Sequence, residues 1–243
     1  MRIVTWNILA GGGSRCGSIL DVLRRYDADI VVLQETVGSR AGDLCHVLRR
    51  AGYACGLSAP RAAGERGLCV LSRVPLRRVV RRTPPHALLY PRGWLEVDLV
   101  PYDVRLAAVY GPAEGPAIPR FWDAAARWLP RLVGRRFLML GDFNAGASGV
   151  DAPQYRFRAG KAFGELSGIG LVDCWRREHG GRREYTWFSR RRGGGRGRGF
   201  RIDHAFVSPS LAPRVTRCCY DHDVRERGWS DHSLMVVDLA LDP

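Results

Sequence analysis

The chain alternates short apolar runs with longer segments in which apolar residues recur every three or four positions. Short runs bounded by turn residues predict β-strands, and the longer periodic segments predict amphipathic helices. The predicted strands are Arg2–Asn7, Ile30–Leu33, Leu68–Leu71, Trp94–Val100, Arg105–Tyr110, Phe137–Phe143, Arg201–Val207 and Leu234–Leu241. The predicted helices are Ser18–Tyr26, Gly42–Ala51, Ile118–Leu132 and Gln154–Leu166.

The predicted strands mix continuous apolar runs with runs that alternate apolar and polar residues. A continuous run is typical of a strand covered on both faces, and an alternating run is typical of a strand covered on one. This mixture predicts a layered α/β sandwich, in which two sheets pack face to face and helices lie outside them. With 243 residues, 46% of them hydrophobic, and no long linker, the chain is expected to form a single domain, 1–243.

The net charge of +14 favours polyanionic partners, and nucleic acid is the first of these. Lys161 is the only lysine, so arginine supplies 37 of the 38 basic residues. Codon composition is one explanation of this bias. The other is phosphate binding, because the guanidinium group can contact a phosphate through two parallel hydrogen bonds.

Two features bear on where the protein resides. No apolar run approaches the roughly 20 residues that cross a bilayer, and Met1 leads directly into a predicted strand without the apolar stretch of a signal peptide. The seven cysteines are an odd number and form no C-x-x-C pair, so neither a disulfide framework nor a structural zinc site is expected. The sequence therefore predicts a cytoplasmic protein with reduced thiols.

Polar side chains follow several predicted strands at the point where each strand ends. The set is Asn7, Glu35, Tyr110, Asp142 with Asn144, Asp203, and the pair Asp231 and His232. A strand supplies rigidity and its end supplies chemistry, so such residues are candidates for a shared site. Hydrolysis of a phosphoester needs a cation, a base for water and help for the leaving oxygen, and this set offers all three.

The residue types suggest catalytic roles. Asp142 and Asn144 are two apart on an extended segment and should point to the same side, so Asp142 could act as general base while Asn144 fixes the water or binds the developing oxyanion. His232 could stabilise the phosphorus centre as a cation, with Asp203 orienting its ring. Tyr110 could donate to a phosphate oxygen.

The remaining strand ends suit a hard divalent cation. Glu35 offers the kind of carboxylate that Mg²⁺ prefers, Asn7 could ligate the same ion, and Asp231 could support the metal or the leaving oxygen. Each of these residues alone is more often structural. An Asn commonly caps a turn, an Asp after a core strand commonly forms an Asx turn, and the case rests on their occurring together.

Residues 190–199 consist only of arginine and glycine. One interpretation is a mobile, solvated loop, because glycine adds backbone entropy and like charges repel. The other is a flexible basic arm at the rim of the site that folds onto a phosphate backbone. The predicted contacts to nucleic acid are Arg190, Arg191, Arg192, Arg196, Arg198, Trp187 and Arg201.

In chain order, the strand-end motifs form one set. Its members are Thr5-Trp6-Asn7, Leu33-Gln34-Glu35, Val109-Tyr110-Gly111-Pro112, Gly141-Asp142-Phe143-Asn144, Arg201-Ile202-Asp203-His204 and Ser230-Asp231-His232. This ordered set resembles the endonuclease/exonuclease/phosphatase family over nearly the whole chain. Within that family, Tyr110 and Tyr185-Thr186-Trp187 are most similar to the exonuclease III and abasic-site endonuclease branch.

The resemblance implies a deoxyribonuclease-I-like four-layer sandwich of two mainly antiparallel sheets. It also implies one or two Mg²⁺ or Mn²⁺ ions and in-line attack by water without a covalent intermediate. The roles it carries over are Asn7 and Glu35 on the metal side, Asp142 as water activator, Asn144 as phosphate contact, and Asp203 with His232 as the phosphate-polarising pair.

Three functions remain open at this stage. The first is a metal-dependent nuclease, with DNA as the expected substrate. The second is a phosphomonoesterase or phosphodiesterase that acts on a small-molecule or lipid phosphate, since a phosphoryl site does not specify what is attached to the phosphate. The third is a non-catalytic module that binds nucleic acid. No membrane contact and no obligate protein partner are expected.

Overall fold

A computed structural model describes residues 1–37, 44, 46–59, 62–79, 89–191 and 195–241. The strands, in chain order, are β1 (Arg2–Asn7), β2 (Ile30–Val37), β3 (Cys55–Ser58), β4 (Arg66–Ser72), β5 (Leu76–Arg78), β6 (Trp94–Leu99), β7 (Val104–Tyr110), β8 (Phe137–Asp142), β9 (Val172–Asp173), β10 (Trp187–Arg190), β11 (Arg196–Phe200), β12 (Asp203–Val207), β13 (Val215–Asp221) and β14 (Leu234–Leu239). The labelled helices are α1 (Cys16–Tyr26), α2 (Ala117–Trp128), α3 (Gly160–Gly168), α4 (Cys174–His179) and α5 (Asp223–Glu226), and residues 46–50 are also helical.

Within the described residues, twelve of the strands form two six-stranded sheets. The first has the order β13-β14-β1-β2-β4-β3 and the second has the order β5-β6-β7-β8-β12-β9. Each sheet contains one parallel pair near its centre, β1 with β2 and β7 with β8, and its other neighbouring strands are antiparallel. The parallel pairs align the carboxyl ends of four central strands.

The sheets pack face to face through alternate residues of their strands. Val32 and Val237 of the first sheet join Leu106 and Leu140 of the second in one buried cluster, and each is 0% exposed. Side chains of a strand point alternately to opposite faces, so the remaining residues of each strand face outward. Those outer faces are also buried in this protein, which explains the continuous apolar runs in the sequence.

Helices cover both outer faces. Ile19 and Leu23 of α1 pack against Leu33 on the first sheet, and Trp122 of α2 stacks on Phe143 at the end of β8. Helix α3 lies beside α2 in the same apolar cluster. The order is helix, sheet, sheet, helix, which confirms the predicted four-layer α/β sandwich. No helix in the described residues is long and apolar enough to cross a membrane.

Three predicted elements differ from the structure. Helix α3 begins at Gly160, because residues 154–159 are turns and irregular chain and Gln154 has a positive φ of 55°. Helix α2 ends at Trp128 and continues as a 3-10 turn that carries Pro130, since proline cannot donate the hydrogen bond that continues an α-helix. The first part of the predicted helix Gly42–Ala51 lies largely outside the described residues.

The arginine–glycine segment is the largest correction. Strands β10 and β11 pair as an antiparallel hairpin, with Trp187 opposite Phe200 and Arg190 opposite Arg196. Arg190 and residues 196–199 of this segment therefore lie in paired strands and not in a loop or a flexible arm. Glycine is depleted in strands, and the segment has no alternation of apolar and polar residues, so the sequence pattern does not reveal this pairing.

Candidate active site

The predicted strand-end residues converge at one end of the sandwich. Asn7 ends β1, Tyr110 ends β7 and Asp142 ends β8, all at the carboxyl ends that the parallel pairs align. Asp203 begins the antiparallel strand β12 directly opposite Asp142. His232 lies just before β14, which pairs with β1. The site is thus built from both sheets.

Asp142 lies at the centre of this group and is 1% exposed. Its Oδ2 accepts a hydrogen bond from the side-chain amide of Asn7 at 2.9 Å and another from that of Asn144 at 3.2 Å. Its Oδ1 accepts from the backbone N–H of Asn144 at 2.9 Å. Burial raises the pKa of Asp142, His232 lowers it and Asp203 raises it, and the balance lies at about 7. A carboxylate with a pKa near neutrality is suited to taking a proton from water.

Asn144 fixes the turn that follows β8. Its φ of 48° is left-handed, which asparagine tolerates better than most residues. Its amide also donates to the carbonyl of Gly111 at 3.0 Å. Asp142 and Asn144 therefore meet through an Asx turn that follows β8, and not along the extended segment that the sequence predicted.

His232 and Asp203 form a buried pair beside Asp142. Nδ1 of His232 lies 3.0 Å from Oδ2 of Asp203, and Nε2 lies 3.9 Å from Oδ2 of Asp142. Burial alone lowers the pKa of His232, but the charges of Asp203 and Asp142 raise it to about 10. Tyr220 donates to the backbone carbonyl of Asp203 at 2.8 Å. The imidazole is therefore cationic at neutral pH, with Nε2 directed to the centre of the site.

Glu35 reaches the site because β2 contains a bulge. The register between β2 and β4 shifts at this residue, and its φ is 59°. Its Oε2 accepts from Arg66 at 2.8 Å and from the backbone N–H of Ala10 at 2.8 Å. Its Oε1 lies 3.3 Å from the amide of Asn7 and 3.4 Å from the hydroxyl of Tyr110. The bulge and these donors hold the carboxylate in one position.

A left-handed turn supports the same carboxylate. All five residues from Leu9 to Gly13 have positive φ, between 50° and 80°. Leu9 donates its backbone N–H to Oδ1 of Asn7 at 3.0 Å, and Gly11 donates to the carbonyl of Glu35 at 2.7 Å. Non-glycine residues pay about 1–2 kcal/mol each for this conformation. The backbone strain thus lies in the turn that positions Asn7 and Glu35, the two candidate metal ligands.

Tyr110 is a neutral hydrogen-bond donor in this environment. It is 7% exposed, and its hydroxyl points towards Glu35. Burial and the charges of Glu35 and Asp142 raise its pKa. The phenol therefore keeps its proton at neutral pH.

Asp231 has the free acceptor that the site needs for a cation or a leaving oxygen. Its Oδ2 accepts from the indole N–H of Trp187 at 3.0 Å, while its Oδ1 is buried and has no hydrogen-bond partner among the described residues. A buried carboxylate oxygen left without a partner costs free energy. A bound cation or a protonated substrate group would satisfy it.

The closest cluster of possible metal ligands is Asp142, Asp203 and His232, whose ligand atoms lie within 4.8 Å of one another. Within this cluster Nδ1 of His232 pairs with Asp203 at 3.0 Å and Nε2 lies 3.9 Å from Asp142, so the three side chains already interact with one another. Glu35 and Asn7, whose side chains lie 3.3 Å apart, offer oxygen atoms of the kind that a hard divalent ion prefers, and Asp231 offers a buried Oδ1 without a partner among the described residues.

A cleft of about 890 Å³ opens beside the candidate catalytic group, and Asn144 forms part of its wall. Trp187, Arg190 and Arg191 line it from the hairpin, together with Arg198. Tyr155, Phe157 and Phe200 form edge-to-face aromatic contacts in its wall. The guanidinium of Arg198 lies 5.7 Å from the ring centre of Tyr155. The cleft thus combines flat apolar surfaces with positive charge.

Two predicted contacts do not fit this cleft, and one lies outside the described residues. Arg201 is 2% exposed and forms ion pairs with Asp151 at 2.7 Å and Asp173 at 2.6 Å, so the prediction that it contacts nucleic acid is wrong. Arg196 lines a smaller cavity on the other side of the hairpin and lies 3.6 Å from Glu226. Arg192 is outside the described residues.

Several residues near the site have little or no signal in the sequence. Arg66 begins β4 without any motif, and only the pairing of β2 with β4 brings it to Glu35. Tyr155 and Phe157 were assigned to a helix, although Pro153 and the aromatic spacing fit a turn equally well. The run Gly11-Gly12-Gly13 was a usable signal for a left-handed turn.

Two packed six-stranded sheets, flanked by helices and carrying these polar groups at one end, define a deoxyribonuclease-I-like fold. The chain belongs to the Endonuclease/Exonuclease/phosphatase family, whose model matches residues 4–232. A search of curated proteins found no significant match.

Similar solved structures come from a bacterial genus and an archaeon. A 3' phosphatase, NExo, from Neisseria, bound to product DNA hairpin, has a TM-score of 0.81 and 23% identity, and the match covers 98% of this chain and 99% of that one. The 3'-5' exonuclease NExo from Neisseria meningitidis gives 0.79 and 23%, with 98% and 99% coverage. An AP endonuclease from Archaeoglobus fulgidus gives 0.78 and 20%, with 99% of both chains covered.

Proposed function

We propose that this protein is a divalent-metal-dependent hydrolase that cleaves phosphodiester bonds of DNA by in-line attack of water. The observation that carries the proposal is the buried group of Asp142, Asp203 and His232 beside a cleft lined by arginine and aromatic side chains. We further propose that residues 1–243 act as one catalytic domain.

Asp142 is the general base in this proposal. Because its pKa is about 7, the Asp142 carboxylate can be unprotonated when the substrate binds and can then accept a proton from water at neutral pH. The amides of Asn7 and Asn144 fix the carboxylate, so the attacking water would be held in one direction. Such positioning contributes to the rate because the reacting atoms need not be reorganised.

His232 stabilises the negative charge that develops on the phosphoryl oxygens. Its cationic form is maintained by Asp203, and its Nε2 faces the same point as Asp142. A fixed charge in a buried site acts more strongly than the same charge in water. Tyr110, as a neutral phenol, would donate a hydrogen bond to the phosphate.

The residues fit a bound Mg²⁺ or Mn²⁺ ion. Glu35, Asn7 and Asp231 would hold it through oxygen atoms, and the unpartnered Oδ1 of Asp231 is the observation that favours this set. When bound, the ion supplies Lewis-acid neutralisation of the phosphate charge. Arg66 and Ala10 keep Glu35 in place before the ion arrives.

Three observations support DNA as the substrate. Arg190, Arg191 and Arg198 border the cleft, where they can contact phosphates through paired hydrogen bonds. The aromatic rings of Tyr155 and Trp187 offer surfaces on which bases can stack. The similar 3' phosphatase from Neisseria is bound to a product DNA hairpin, and the similar Archaeoglobus fulgidus protein is an AP endonuclease.

Cleavage of supercoiled plasmid by the purified protein in Mg²⁺ tests the proposal, with a small phosphomonoester assayed in parallel. We expect nicking that Asp142→Asn reduces by about 10²–10⁴-fold, the usual contribution of a general base. Excess chelator should abolish nicking in the unchanged protein. Asn has nearly the same shape as Asp, so equal urea-unfolding midpoints would exclude misfolding as the cause.

Other outcomes would redirect or reject the proposal. Intact plasmid with phosphate released from the small ester would move the function to a phosphomonoesterase. Nicking that survives both chelator and Asp142→Asn would show that the assigned base and metal are wrong. Binding of DNA without any hydrolysis would support a non-catalytic module.

A further inference from the structure

A second cavity, of about 640 Å³, lies on the outer side of the second sheet. Its walls come from β5, β6 and β7 and from the segment that follows α2. Helix α2 connects the two sites, because Ile118 near its start lines the catalytic cleft and Trp128 at its end lines this cavity. Ten residues of helix separate these two side chains by about 15 Å. The cavity is therefore distinct from the cleft and lies within reach of a ligand that extends beyond it.

The floor of the cavity is a set of fixed ion pairs. Glu96 is 5% exposed and accepts hydrogen bonds from the indole of Trp128 at 3.3 Å and from Arg105 at 3.2 Å. Asp98 accepts from Arg105 at 2.5 Å and from Arg77 at 3.1 Å. Burial raises the pKa of Asp98, but these two arginines outweigh it and lower the pKa. The carboxylates thus serve to hold two guanidinium groups in place.

Three more arginines, Arg78, Arg131 and Arg135, line the walls. Arg131 lies 5.3 Å from the ring centre of Trp128 and donates to a backbone carbonyl at 2.8 Å. Among the described residues, no carboxylate forms an ion pair with any of these three. Five guanidinium groups against two carboxylates leave an excess of three positive charges around one cavity. Arg78 and Arg131 each donate to a backbone carbonyl, but no carboxylate among the described residues neutralises this excess charge.

We propose that this cavity is a second phosphate-binding site, separate from the catalytic centre. Guanidinium groups match phosphate oxygens through two parallel hydrogen bonds, and the stacked Arg131 is already restricted in orientation. A volume of about 640 Å³ exceeds the needs of one phosphate and suits two linked phosphates. Such a pair occurs in the backbone of nucleic acid that passes beyond the catalytic cleft and in a free polyphosphate. The site does not depend on the proposed hydrolysis.

Pyrophosphate is the probe for the chemistry, titrated by calorimetry in excess chelator. The titration uses protein that carries Arg190→Gln and Arg198→Gln, so that the rim of the catalytic cleft does not contribute. Adding Arg131→Gln and Arg135→Gln should weaken binding by about tenfold or more, because each charged hydrogen bond is worth more than a neutral one. The matched control adds Arg50→Gln and Arg214→Gln, which remove the same charge elsewhere and should change affinity less than about twofold.

DNA length distinguishes the two sources of phosphate. The double variant Arg131→Gln/Arg135→Gln, made in otherwise unchanged protein, is compared on a hairpin of about 5 base pairs and a duplex of about 30, since 15 Å corresponds to about 4–5 base pairs. If the natural ligand is the DNA backbone, the double variant should bind the long duplex more weakly and the short hairpin unchanged. For the long duplex, the slope of log affinity against log salt should decrease by the equivalent of about two phosphate contacts. If it is a free polyphosphate, pyrophosphate binding falls and duplex affinity does not.

Unchanged pyrophosphate binding together with unchanged duplex affinity would overturn the proposal. Cleavage of the hairpin of about 5 base pairs, which is too short to reach this cavity, serves as the separate readout for the proposed function. A double variant that loses pyrophosphate binding and still cleaves this hairpin supports the second site. Loss of phosphate binding equally in the Arg50→Gln/Arg214→Gln control would mean that net charge, and not this cavity, binds the anion.

Discussion

His204 shows how one buried residue can set the acid stability of this fold. It is 0% exposed, its Nε2 lies 2.9 Å from the carbonyl of Ala145, and its Nδ1 lies 4.0 Å from Asp173. Burial and the nearby charge of Arg201 lower its pKa to about 4. In the sequence this histidine follows Asp203 directly. The structure shows that its ring points away from Asp203 and packs against Phe163 of α3, which the sequence does not reveal.

The pKa of His204 predicts a defined loss of stability in acid. An unfolded histidine titrates near pH 6.5, so between about pH 6.5 and 4 the unfolded chain binds a proton that the folded protein does not. The free energy of unfolding should fall by on the order of 3 kcal/mol across that range as the pH decreases. Urea unfolding of His204→Gln, measured beside the unchanged protein, isolates this contribution, because Asp142, Asp151 and other groups titrate in both. Identical pH dependence in the two proteins would contradict the assignment.

At the scale of elements, the left-handed turn after β1 determines where Asn7 and Glu35 lie. Gly12 within it has a φ of 80°, and a Cβ there would lie 2.8 Å from Cδ1 of Ile19. Gly17, in the first turn of α1, has open space around the position of a Cβ. The two glycines are close in sequence and differ in what an added methyl group would meet.

A matched pair of substitutions tests this turn. Gly12→Ala should lower the free energy of unfolding by about 1–2 kcal/mol, since L-residues disfavour this conformation. Gly17→Ala should raise it by about 0.5–1 kcal/mol, because alanine is a better helix former. Calorimetric titration of Mg²⁺ should also show weaker binding for Gly12→Ala alone. Equal effects of the two substitutions would show that the turn is not under this constraint.

The sequence predicted the central elements well and the peripheral ones poorly. Leu138 to Asp142 reads as a strand with a polar end, and hydrophobic burial enforces that register. The hairpin of β10 and β11 was missed because its stability comes from Trp187 against Phe200, and from pairing that no local propensity reveals. Arg201 was misassigned because its partners Asp151 and Asp173 are distant in sequence. Local patterns in a single sequence do not reveal contacts between residues that are far apart in the chain.

At the scale of the whole molecule, the charge of +14 is distributed among several surfaces, and the hairpin is the one beside the catalytic group. Arg190 and Arg198 line the cleft, whereas Arg24 and Arg217 are exposed elsewhere. Long-range attraction depends on the total charge, and counterion release depends on contacts. The two contributions can therefore be separated.

Removing charge at the two places should have different effects on DNA binding. Arg190→Gln/Arg198→Gln should reduce the slope of log affinity against log salt by about two contacts and weaken binding at moderate salt. The control Arg24→Gln/Arg217→Gln has the same net charge as the first variant and should leave this slope nearly unchanged. Fluorescence anisotropy of a labelled duplex at several salt concentrations gives both slopes. The assignment of the hairpin to DNA binding would be wrong if the slopes agreed.

The pairing of β14 with β1 joins the two extremes of the folded chain, as the contact of Arg2 with Asp238 shows. Asn7 and His232 are brought together by this pairing, so neither can work without it. During translation, β1 leaves the ribosome long before its partner strand exists. A nascent polypeptide that has been synthesised only as far as β13 therefore contains Asn7 without His232, and the candidate site is incomplete. Strand order thus delays assembly of the site until β14 has been made.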